Sequence, residues 1–401
     1  PSVAGCYLAP LVLLPDVGTR ATLGIAALAL VAAAILWPRV RAPSDTPSES
    51  PLASSDDRGP RAVPWALPAG AVVALATLLA ALAPEGPLRE DAGQLLERET
   101  SYQTLRVVEA AEHGPVPGEW PLYGSTAALR TRSLRFDEDR TSYQSLRLLD
   151  DEARVLTAGR YYDHLVLGAW FDGMPWTREP AGAPAVLVVG YGAGTLHRIL
   201  DHVAPEGGPR AEVTGVELDP EVLHTARDRL GGLPEGGRLL AADGRAVLEA
   251  LPASPAFDLI FVDAYQRTQY VPFHLATVEC FRACATRLKP GGAIGVNVHA
   301  PDGLSGALLA AIATTLSEAL PGGGVWLVPN PQYPTNVVVW GMPSGRAPRV
   351  AGSVPAGLGG PAHALDRLLV RSPRGTLVLT DERAPVERLS DEGILSDEGA
   401  P

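Results

Sequence analysis

Lysine is nearly missing from this chain of 401 residues, in which it occurs once, as Lys289. Arginine supplies the rest of the positive charge, yet acidic residues outnumber basic ones by 45 to 33, and the formal net charge is −12. Proteins that bind nucleic acid present a basic surface to the phosphates. The composition therefore argues against a nucleic-acid partner and mildly favours a cationic substrate or partner.

Cysteine is also scarce, because the chain holds only Cys6, Cys280 and Cys284. Three thiols cannot build a disulfide framework. Cys280 and Cys284 are one helical turn apart, with no cluster of further metal ligands near them in the sequence, so packing within a helix is the better interpretation. No metal site is predicted.

Charged residues are few, at 19%, and long uncharged apolar runs occupy residues 21–37 and 63–83. Each run approaches the ~20 residues that cross a bilayer as a helix. We therefore expect residues 1–84 to be the end of a multi-pass membrane region, with a loop rich in Pro, Ser and Asp at residues 38–62. The alternative is that both runs are buried helices of a soluble domain, although neither has a polar face.

Two similar segments follow the predicted membrane region: TSYQTLRVVE at residues 100–109 and TSYQSLRLLD at residues 141–150. In both, apolar and polar residues alternate as they do in a half-buried strand. The pattern predicts a small antiparallel β-domain over residues 85–175.

From residue 185 onward, short apolar runs alternate with segments of helical pattern. Strands are predicted at AVLVVG, EVTGVELD, RLLAAD, FDLIFVDA and AIGVNVH, helices at residues 220–230 and 274–288, and a turn at LKPGG. This rhythm predicts an α/β fold with a Rossmann-like, doubly wound parallel sheet over residues 176–345, whose ligand lies beyond the carboxyl ends of the strands. Residues 346–401 then form a C-terminal extension.

Glycines and acidic residues stand where the first three of these strands end. Gly190, Gly192 and Gly194 allow close approach of a ligand to the backbone before a helix begins. Glu217 ends the second strand, where a carboxylate can accept hydrogen bonds from both hydroxyls of a ribose. Asp243 ends the third strand, where a carboxylate can accept a hydrogen bond from the amino group of a purine. The pattern indicates an adenosine ligand, and the alternative for any one of the acids is a helix N-cap.

A dinucleotide such as NAD is the competing ligand for a glycine-rich turn. The spacing here is G-x-G-x-G and lacks the third glycine of G-x-G-x-x-G. LKPGG followed by a strand is typical of enzymes that use nucleotides of the S-adenosylmethionine type.

The chain resembles the spermidine synthase family of polyamine aminopropyltransferases, in the bacterial form that is fused behind a membrane region. The resemblance covers roughly residues 97–300, with a further echo in LVLTDERAPVE at residues 377–387. The matching segments are SYQTLRV, GRYYDHLV, VGYGAG, VELDPEV, AADGRAVLEA and FDLIFVDAYQRTQYVPFHLATVECF. It implies a methyltransferase-type Rossmann-like fold that uses decarboxylated S-adenosylmethionine as co-substrate and an amine as acceptor.

The resemblance also implies roles for individual residues. Asp263 would be the base that removes a proton from the attacking amine. The nucleotide would be bound by Gln103, Gly190, Gly192, Gly194, Glu217, Asp243 and Gly244. The aminopropyl arm and the amine would be contacted by Tyr102, Tyr162, Asp163 and Tyr265.

Three departures from the family pattern remove polar contacts to a cationic substrate. Ala193 stands where the family's glycine loop has an Asp, and Tyr162 stands where it has a His. The segment after Asp263 offers Gln266, Arg267 and Thr268 instead of a second acid. The alternatives are therefore a different amine, a methyltransferase that uses S-adenosylmethionine itself, or a non-catalytic domain that regulates a membrane partner. A homodimer is possible on the sequence alone.

The orientation in the membrane follows from two opposing arguments. Arg39, Arg41, Arg58 and Arg61 would place the loop 38–62 in the cytoplasm and the C-terminal domain outside. The nucleotide, however, is made in the cytoplasm. We therefore expect the catalytic domain on the cytoplasmic face.

Overall fold

The computed structural model describes residues 22, 24–29, 92–112, 129–137, 143–149, 157, 159–265, 270–352, 354–373 and 375–398. The chain divides into two compact units, one of Pro1–Arg89 with Glu99–Tyr102 and one of Glu90–Arg98 with Gln103–Pro401. In the first unit, residues 24–29 are helical. Nearly all of the predicted membrane region 1–84 lies outside the described residues, and within the described part no helix has the length and apolar character to cross a membrane.

The small sheet has four strands in the order β1-β2-β3-β4: β1 (Gln94–Glu99), β2 (Thr104–Glu112), β3 (Leu129–Phe136) and β4 (Ser145–Leu148). β2 pairs with β3 and β3 with β4, both antiparallel. The two similar sequence segments supply β2 and β4. Leu105, Val107 and Leu134 are fully buried on one face. The predicted small antiparallel sheet is thereby confirmed.

The large sheet has eight strands: β5 (Ala185–Val189), β6 (Glu212–Glu217), β7 (Arg238–Ala241), β8 (Phe257–Val262), β9 (Leu288–His299), β10 (Gly324–Pro329), β11 (Asn336–Met342) and β12 (Val370–Arg371). Their order is β12-β10-β11-β9-β8-β5-β6-β7. The five strands from β9 to β7 are parallel, as predicted. β10 pairs antiparallel with both β11 and β12, and β11 pairs antiparallel with β9. For β10 and β11, the connection of residues 330–335 is too short for the crossover that parallel strands require.

Eight helices of the described residues accompany the strands: α1 (Tyr161–Val166), α2 (Thr195–His202), α3 (Pro220–Arg229), α4 (Gly244–Ala250), α5 (Val278–Ala285), α6 (Ala307–Ala319), α7 (Gly359–Leu368) and α8 (Val386–Glu398). The predicted helix 274–288 is shorter in the structure, since the Thr277 side chain caps α5 by accepting the N–H of Cys280. At the other end β9 starts at Leu288, and LKPGG is a bulge within it, with Gly291 at φ +84°.

Both faces of the large sheet are covered, as a doubly wound sheet requires. Along β5, Leu187 and Val189 belong to one apolar cluster, and Val186 and Val188 belong to another. The first cluster also contains the two buried free thiols and, from the predicted C-terminal extension, Leu379, Val386 and Leu389. The α1 helix lies in the predicted β-domain but packs in the second cluster, with the large sheet.

Candidate active site

The glycine loop connects β5 to α2. Gly190, Gly192 and Gly194 have φ values of +86°, +55° and +77°, which residues other than glycine rarely adopt. A Cβ atom on Gly190 would lie 2.3 Å from the backbone oxygen of Asp263. Glycine at this position therefore brings the loop directly beside the end of β8.

Every backbone N–H of this loop has an acceptor within the chain. Gly190 and Tyr191 donate to the Val216 oxygen at 3.0 and 2.9 Å, and Gly194 donates to the Tyr191 oxygen at 3.0 Å. Gly192 donates to Glu217 Oε2 and Ala193 to Ser145 Oγ, each at 2.8 Å. A pyrophosphate needs free N–H donors at such a loop. The loop is therefore better suited to an adenosyl group without phosphates.

Ser145, which sequence reasoning missed, fastens the small sheet to the loop. It is the first residue of β4, and its buried hydroxyl oxygen accepts a hydrogen bond from the N–H of Ala193. The next residue, Leu146, donates its N–H to Thr195 Oγ1 at 3.2 Å. The repeated segment carried a signal for it, because TSYQS holds Ser145 where TSYQT holds Thr104.

Glu217 ends β6 beside the glycine loop, as predicted. Its second oxygen, Oε1, accepts the N–H of Asp219 at 3.2 Å. Burial raises the pKa of Glu217, and the N–H hydrogen bonds from Gly192 and Asp219 oppose that rise. The carboxylate thus supports the loop; its contact with a ribose stays a prediction.

Asp243 and Gly244 lie at the start of α4. Asp243 Oδ1 caps this helix by accepting the N–H of Ala246 at 2.9 Å, and Oδ2 lies 2.8 Å from His274 Nε2. Burial raises the pKa of Asp243, but these hydrogen bonds outweigh it and the pKa lies below its ordinary value. A Cβ atom on Gly244 would lie 2.4 Å from Val189 Cγ1. The N-cap interpretation therefore holds for Asp243, and His274 is a neighbour that the sequence did not indicate.

Asp263 follows β8, at the same edge of the sheet as the glycine loop and Glu217. Asn297 Nδ2 donates to Asp263 Oδ1 at 3.1 Å. Burial raises the pKa of Asp263 to about 7, although the hydrogen bond from Asn297 and the neighbouring Tyr161 hydroxyl oppose the rise. At neutral pH the group can therefore accept a proton and release it again.

Tyr162 follows Tyr161 in α1, and the charge of Asp263 acts on its hydroxyl. Its side chain is 1% exposed, its ring centroid is 4.0 Å from that of Tyr161, and its hydroxyl has no hydrogen-bond partner of ordinary geometry among the described residues. Burial, and then the negative charge of Asp263, raise the pKa of Tyr162. A buried hydroxyl without a partner is costly unless a ligand supplies one.

Two residues predicted to contact the substrate have hydrogen-bond partners within the chain, and their contact with a substrate stays a prediction. Asp163 is fully buried and accepts from the Thr157 N–H and hydroxyl and from the Gly159 N–H, at 2.8–2.9 Å, so it holds the loop before α1. Burial raises its pKa to about 6. The Tyr265 hydroxyl donates to the backbone oxygen of Asn297 and accepts from the backbone N–H of His299, both at 2.9 Å, so it holds the end of β9.

Ala193 also differs from expectation. Its methyl group is buried in an apolar cluster with Leu105, Val107 and Phe136 of the small sheet and Val222 of α3. The family resemblance predicted that residue 193 faces the ligand. In the structure its methyl group packs against the small sheet instead.

The remaining predicted residues are placed as follows. Tyr102 belongs to the first unit, is 55% exposed and donates its N–H to Thr100 Oγ1 at 3.1 Å. Gln103 is half-buried immediately before β2. Their roles stay predictions. Residues 266–269 lie outside the described residues, and among those described no group of three or more His, Cys, Asp or Glu could hold a metal ion.

Known proteins similar to this chain include both methyltransferases and aminopropyltransferases. Residues 187–296 match a family described as a methyltransferase domain. The chain is 31% identical over 141 residues to Polyamine aminopropyltransferase 2 of Hyperthermus butylicus, over 33% of this chain and 44% of that protein. It is 33% identical over 146 residues to Ubiquinone biosynthesis O-methyltransferase of Xanthomonas axonopodis pv. citri, over 36% of this chain and 55% of that protein. The chain thus spans about half the length of these curated relatives.

A solved structure that matches part of this chain is the crystal structure of a probable spermidine synthase from Corynebacterium glutamicum. Its TM-score is 0.44 at 19% identity, and the match covers 63% of this chain and 81% of that one. The matched sequence segment and the strand order agree: the chain contains a methyltransferase-type α/β domain, the fold of S-adenosylmethionine-dependent transferases, preceded by a small antiparallel sheet.

Proposed function

We propose that this chain transfers an aminopropyl group from decarboxylated S-adenosylmethionine to an amine acceptor and releases methylthioadenosine. The observation that carries the proposal is the carboxyl group of Asp263. It lies at the ligand edge of the sheet, accepts a hydrogen bond from Asn297, and has its pKa raised by burial to about 7. A general base is most effective when its pKa lies near the working pH.

The nucleotide is proposed to lie across the glycine loop. Glu217 accepts the ribose hydroxyls, and Asp243 with His274 faces the purine. The occupied N–H groups of the loop support a ligand without phosphates. A sulfonium nucleotide of this kind needs shape and polar contacts at the ribose and purine instead.

The reaction itself needs little from the protein beyond position and proton removal. The amine nitrogen attacks the aminopropyl carbon that is bonded to the sulfonium sulfur. The carbon–nitrogen bond forms as the carbon–sulfur bond breaks, and the electron pair of that bond stays on sulfur, which leaves as a neutral thioether. The proton that the nitrogen loses passes to Asp263. Holding both reactants in line supplies most of the rate gain.

Tyr162 is proposed to contact the amine side of this pocket. Its buried hydroxyl has no partner of ordinary geometry among the described residues, and the charge of Asp263 raises its pKa. An amine nitrogen could accept from it or donate to it.

The second candidate is methyl transfer from S-adenosylmethionine with the same base. The observation that favours it is that the whole glycine loop, residues 190–194, contains no acid that could attract the aminopropyl ammonium. The family match over residues 187–296, described as a methyltransferase domain, agrees with this candidate too.

One assay separates the candidates. The purified full chain is incubated with each nucleotide and a panel of amines, and the nucleoside products are identified by mass spectrometry. We expect methylthioadenosine from the decarboxylated nucleotide, and its loss in Asp263→Asn but not in Asp228→Asn, a control on the exposed side of α3. S-adenosylhomocysteine as the product would establish methyl transfer. Nucleotide binding without either product would favour a regulatory domain.

A further inference from the structure

Two asparagines behind Asp263 form a chain of hydrogen bonds that leads away from the site. Asn336 Nδ2 donates to Asn297 Oδ1 at 3.1 Å, and Asn297 Nδ2 donates to Asp263 Oδ1 at 3.1 Å. Asn297 is 4% exposed. The sequence indicated neither residue.

The strand register brings these side chains together. In the antiparallel pair of β9 and β11, His299 is opposite Asn336 and Asn297 is opposite Val338. Asn297 and Asn336 are therefore diagonal neighbours on one face of the sheet. β8 runs parallel to β9 on its other side, and Asp263 follows its last residue. The chain of hydrogen bonds thus links β11, β9 and the end of β8.

The direction of these bonds is fixed by donor and acceptor chemistry. A carboxylate only accepts, whereas an amide has one accepting oxygen and one donating NH₂ group. The ionised carboxylate of Asp263 requires the NH₂ group of Asn297, so the oxygen of Asn297 is turned toward Asn336, whose NH₂ group supports that orientation by donating to it. Without Asn336, the amide of Asn297 could rotate and present its oxygen to the protonated form of Asp263.

We propose that Asn336 is a positioning residue that locks the Asn297 amide as a hydrogen-bond donor to Asp263 and so stabilises the charged, proton-accepting form of that base. The inference rests on the proposed function for its catalytic meaning. The bonding arrangement itself is independent of which group is transferred.

The other titratable groups around Asp263 are hydroxyls of Tyr161 and Tyr162 in α1 and of Tyr265 after β8. Burial raises the pKa of all three, so they stay neutral while Asp263 titrates. A change in the titration of Asp263 therefore reports on the amide pair.

The sharpest variant is Asn336→Asp. The new carboxylate can only accept, so Asn297 turns its NH₂ group toward residue 336 and presents its oxygen to Asp263. An oxygen facing the carboxyl group disfavours its ionised form. We expect the pKa of Asp263 to rise by about one to two pH units, the size of a lost hydrogen bond to a charged group. Asn336→Ala frees the amide without inverting it, and the rise should be smaller.

The measurement is carbon-13 NMR of the full chain labelled at aspartate carboxyl groups, with the Asp263 signal assigned from Asp263→Asn. This measurement needs no turnover. A chain that releases no product would refute the proposed function, and the NMR titration would still test whether Asn336 orients the Asn297 amide. In an active chain, the low-pH limb of the kcat/KM profile should move with the NMR titration.

Two controls separate the lock from other effects. Asn330→Ala removes another buried asparagine of the β10–β11 connection, which bonds the Gly159 oxygen and the N–H groups of Gln332 and Tyr333. It should lower stability without moving the titration of Asp263. In the double variant Asn297→Leu/Asn336→Asp, the aspartate should add little beyond the effect of Asn297→Leu. A full additional rise there would mean that its charge acts directly, and an unchanged titration in Asn336→Asp would overturn the lock.

Discussion

Glu217 Oε2 accepts the backbone N–H of Gly192 at 2.8 Å, so the last residue of β6 is fastened to the loop that follows β5. The same carboxylate accepts the N–H of Asp219 through its other oxygen. Both oxygens therefore support the backbone of the site. Any ribose that binds here meets a carboxylate already held in place.

Replacing Glu217 by Gln should weaken both the fold and nucleotide binding. Glutamine has one acceptor oxygen, so one buried N–H loses its partner, and we expect the free energy of unfolding to fall by about 1–3 kcal/mol. Loss of a charge-assisted bond to the ribose should lower nucleotide affinity on the order of 10–100-fold. Urea unfolding and calorimetric titration measure the two effects. Glu212→Gln, at the exposed start of β6, should change neither; wild-type affinity in Glu217→Gln would refute the ribose contact.

The variant Asp263→Asn should separate chemistry from binding. Asparagine can still accept the bond from Asn297 but cannot accept a proton, so turnover should fall by ~10²–10⁴. Nucleotide affinity should change little. The measurement is steady-state kinetics together with calorimetry. If affinity and turnover fell equally, Asp263 would be a binding residue.

The rate of the wild-type protein should rise with pH through a midpoint near 7. Burial raises the pKa of Asp263 to about 7, and only the deprotonated form is a base. The pH dependence of kcat/KM between about pH 5.5 and 8.5 tests this, because kcat/KM reports the titrating groups of the free enzyme. A rate that falls or stays level as pH rises through 7 would contradict the assignment.

The same group should make the fold less stable as pH rises. The pKa of Asp263 is higher in the folded chain than in the unfolded chain, so between about pH 4 and 7 the folded state binds more protons. Its contribution to stability is complete below about pH 4 and is lost as pH rises through about 7. Urea unfolding at several pH values should show this loss in the wild type and a smaller one in Asp263→Asn. Equal slopes would mean that Asp263 titrates alike in both states.

An acid at position 193 should disrupt packing without selecting the decarboxylated nucleotide. Ala193 lies among apolar side chains of the small sheet, where an unpaired charge costs about 3–5 kcal/mol. Ala193→Asp should therefore be strongly destabilised, while Ala253→Asp, at an exposed position, should not. Unfolding and calorimetry with both nucleotides provide the test. Normal stability with tighter binding of the decarboxylated nucleotide would restore the family's arrangement.

The sequence was sufficient to locate the carboxyl ends of the parallel strands. Apolar runs and the residues after them identify Glu217, Asp243 and Asp263, and parallel pairing then brings these strand ends to one edge. Periodicity does not specify contacts between distant segments. Ser145 meets the N–H of Ala193 across 48 residues, and Asn297 meets Asp263 across 34. Those contacts depend on how two sheets dock and on the register of β9 and β11.

Motif resemblance fixed positions in the chain but not the partners of each side chain. Asp163 stands at a matching position, yet its carboxylate already accepts hydrogen bonds from the donors of Thr157 and Gly159. The Tyr265 hydroxyl likewise forms its hydrogen bonds with the backbone of β9. Local backbone donors compete for such side chains, and a linear motif does not record that competition.

The hydrogen bonds within the glycine loop have a consequence for the thermodynamics of association. Because each N–H from Gly190 to Gly194 is satisfied by the chain itself, the loop keeps its conformation before a nucleotide arrives. Ordering a loop on binding carries an entropic cost, and a preformed loop avoids it. Nucleotide binding should then leave the backbone of residues 190–194 equally rigid, so that affinity is set by the ribose, the purine and the sulfonium arm rather than by closure of the loop.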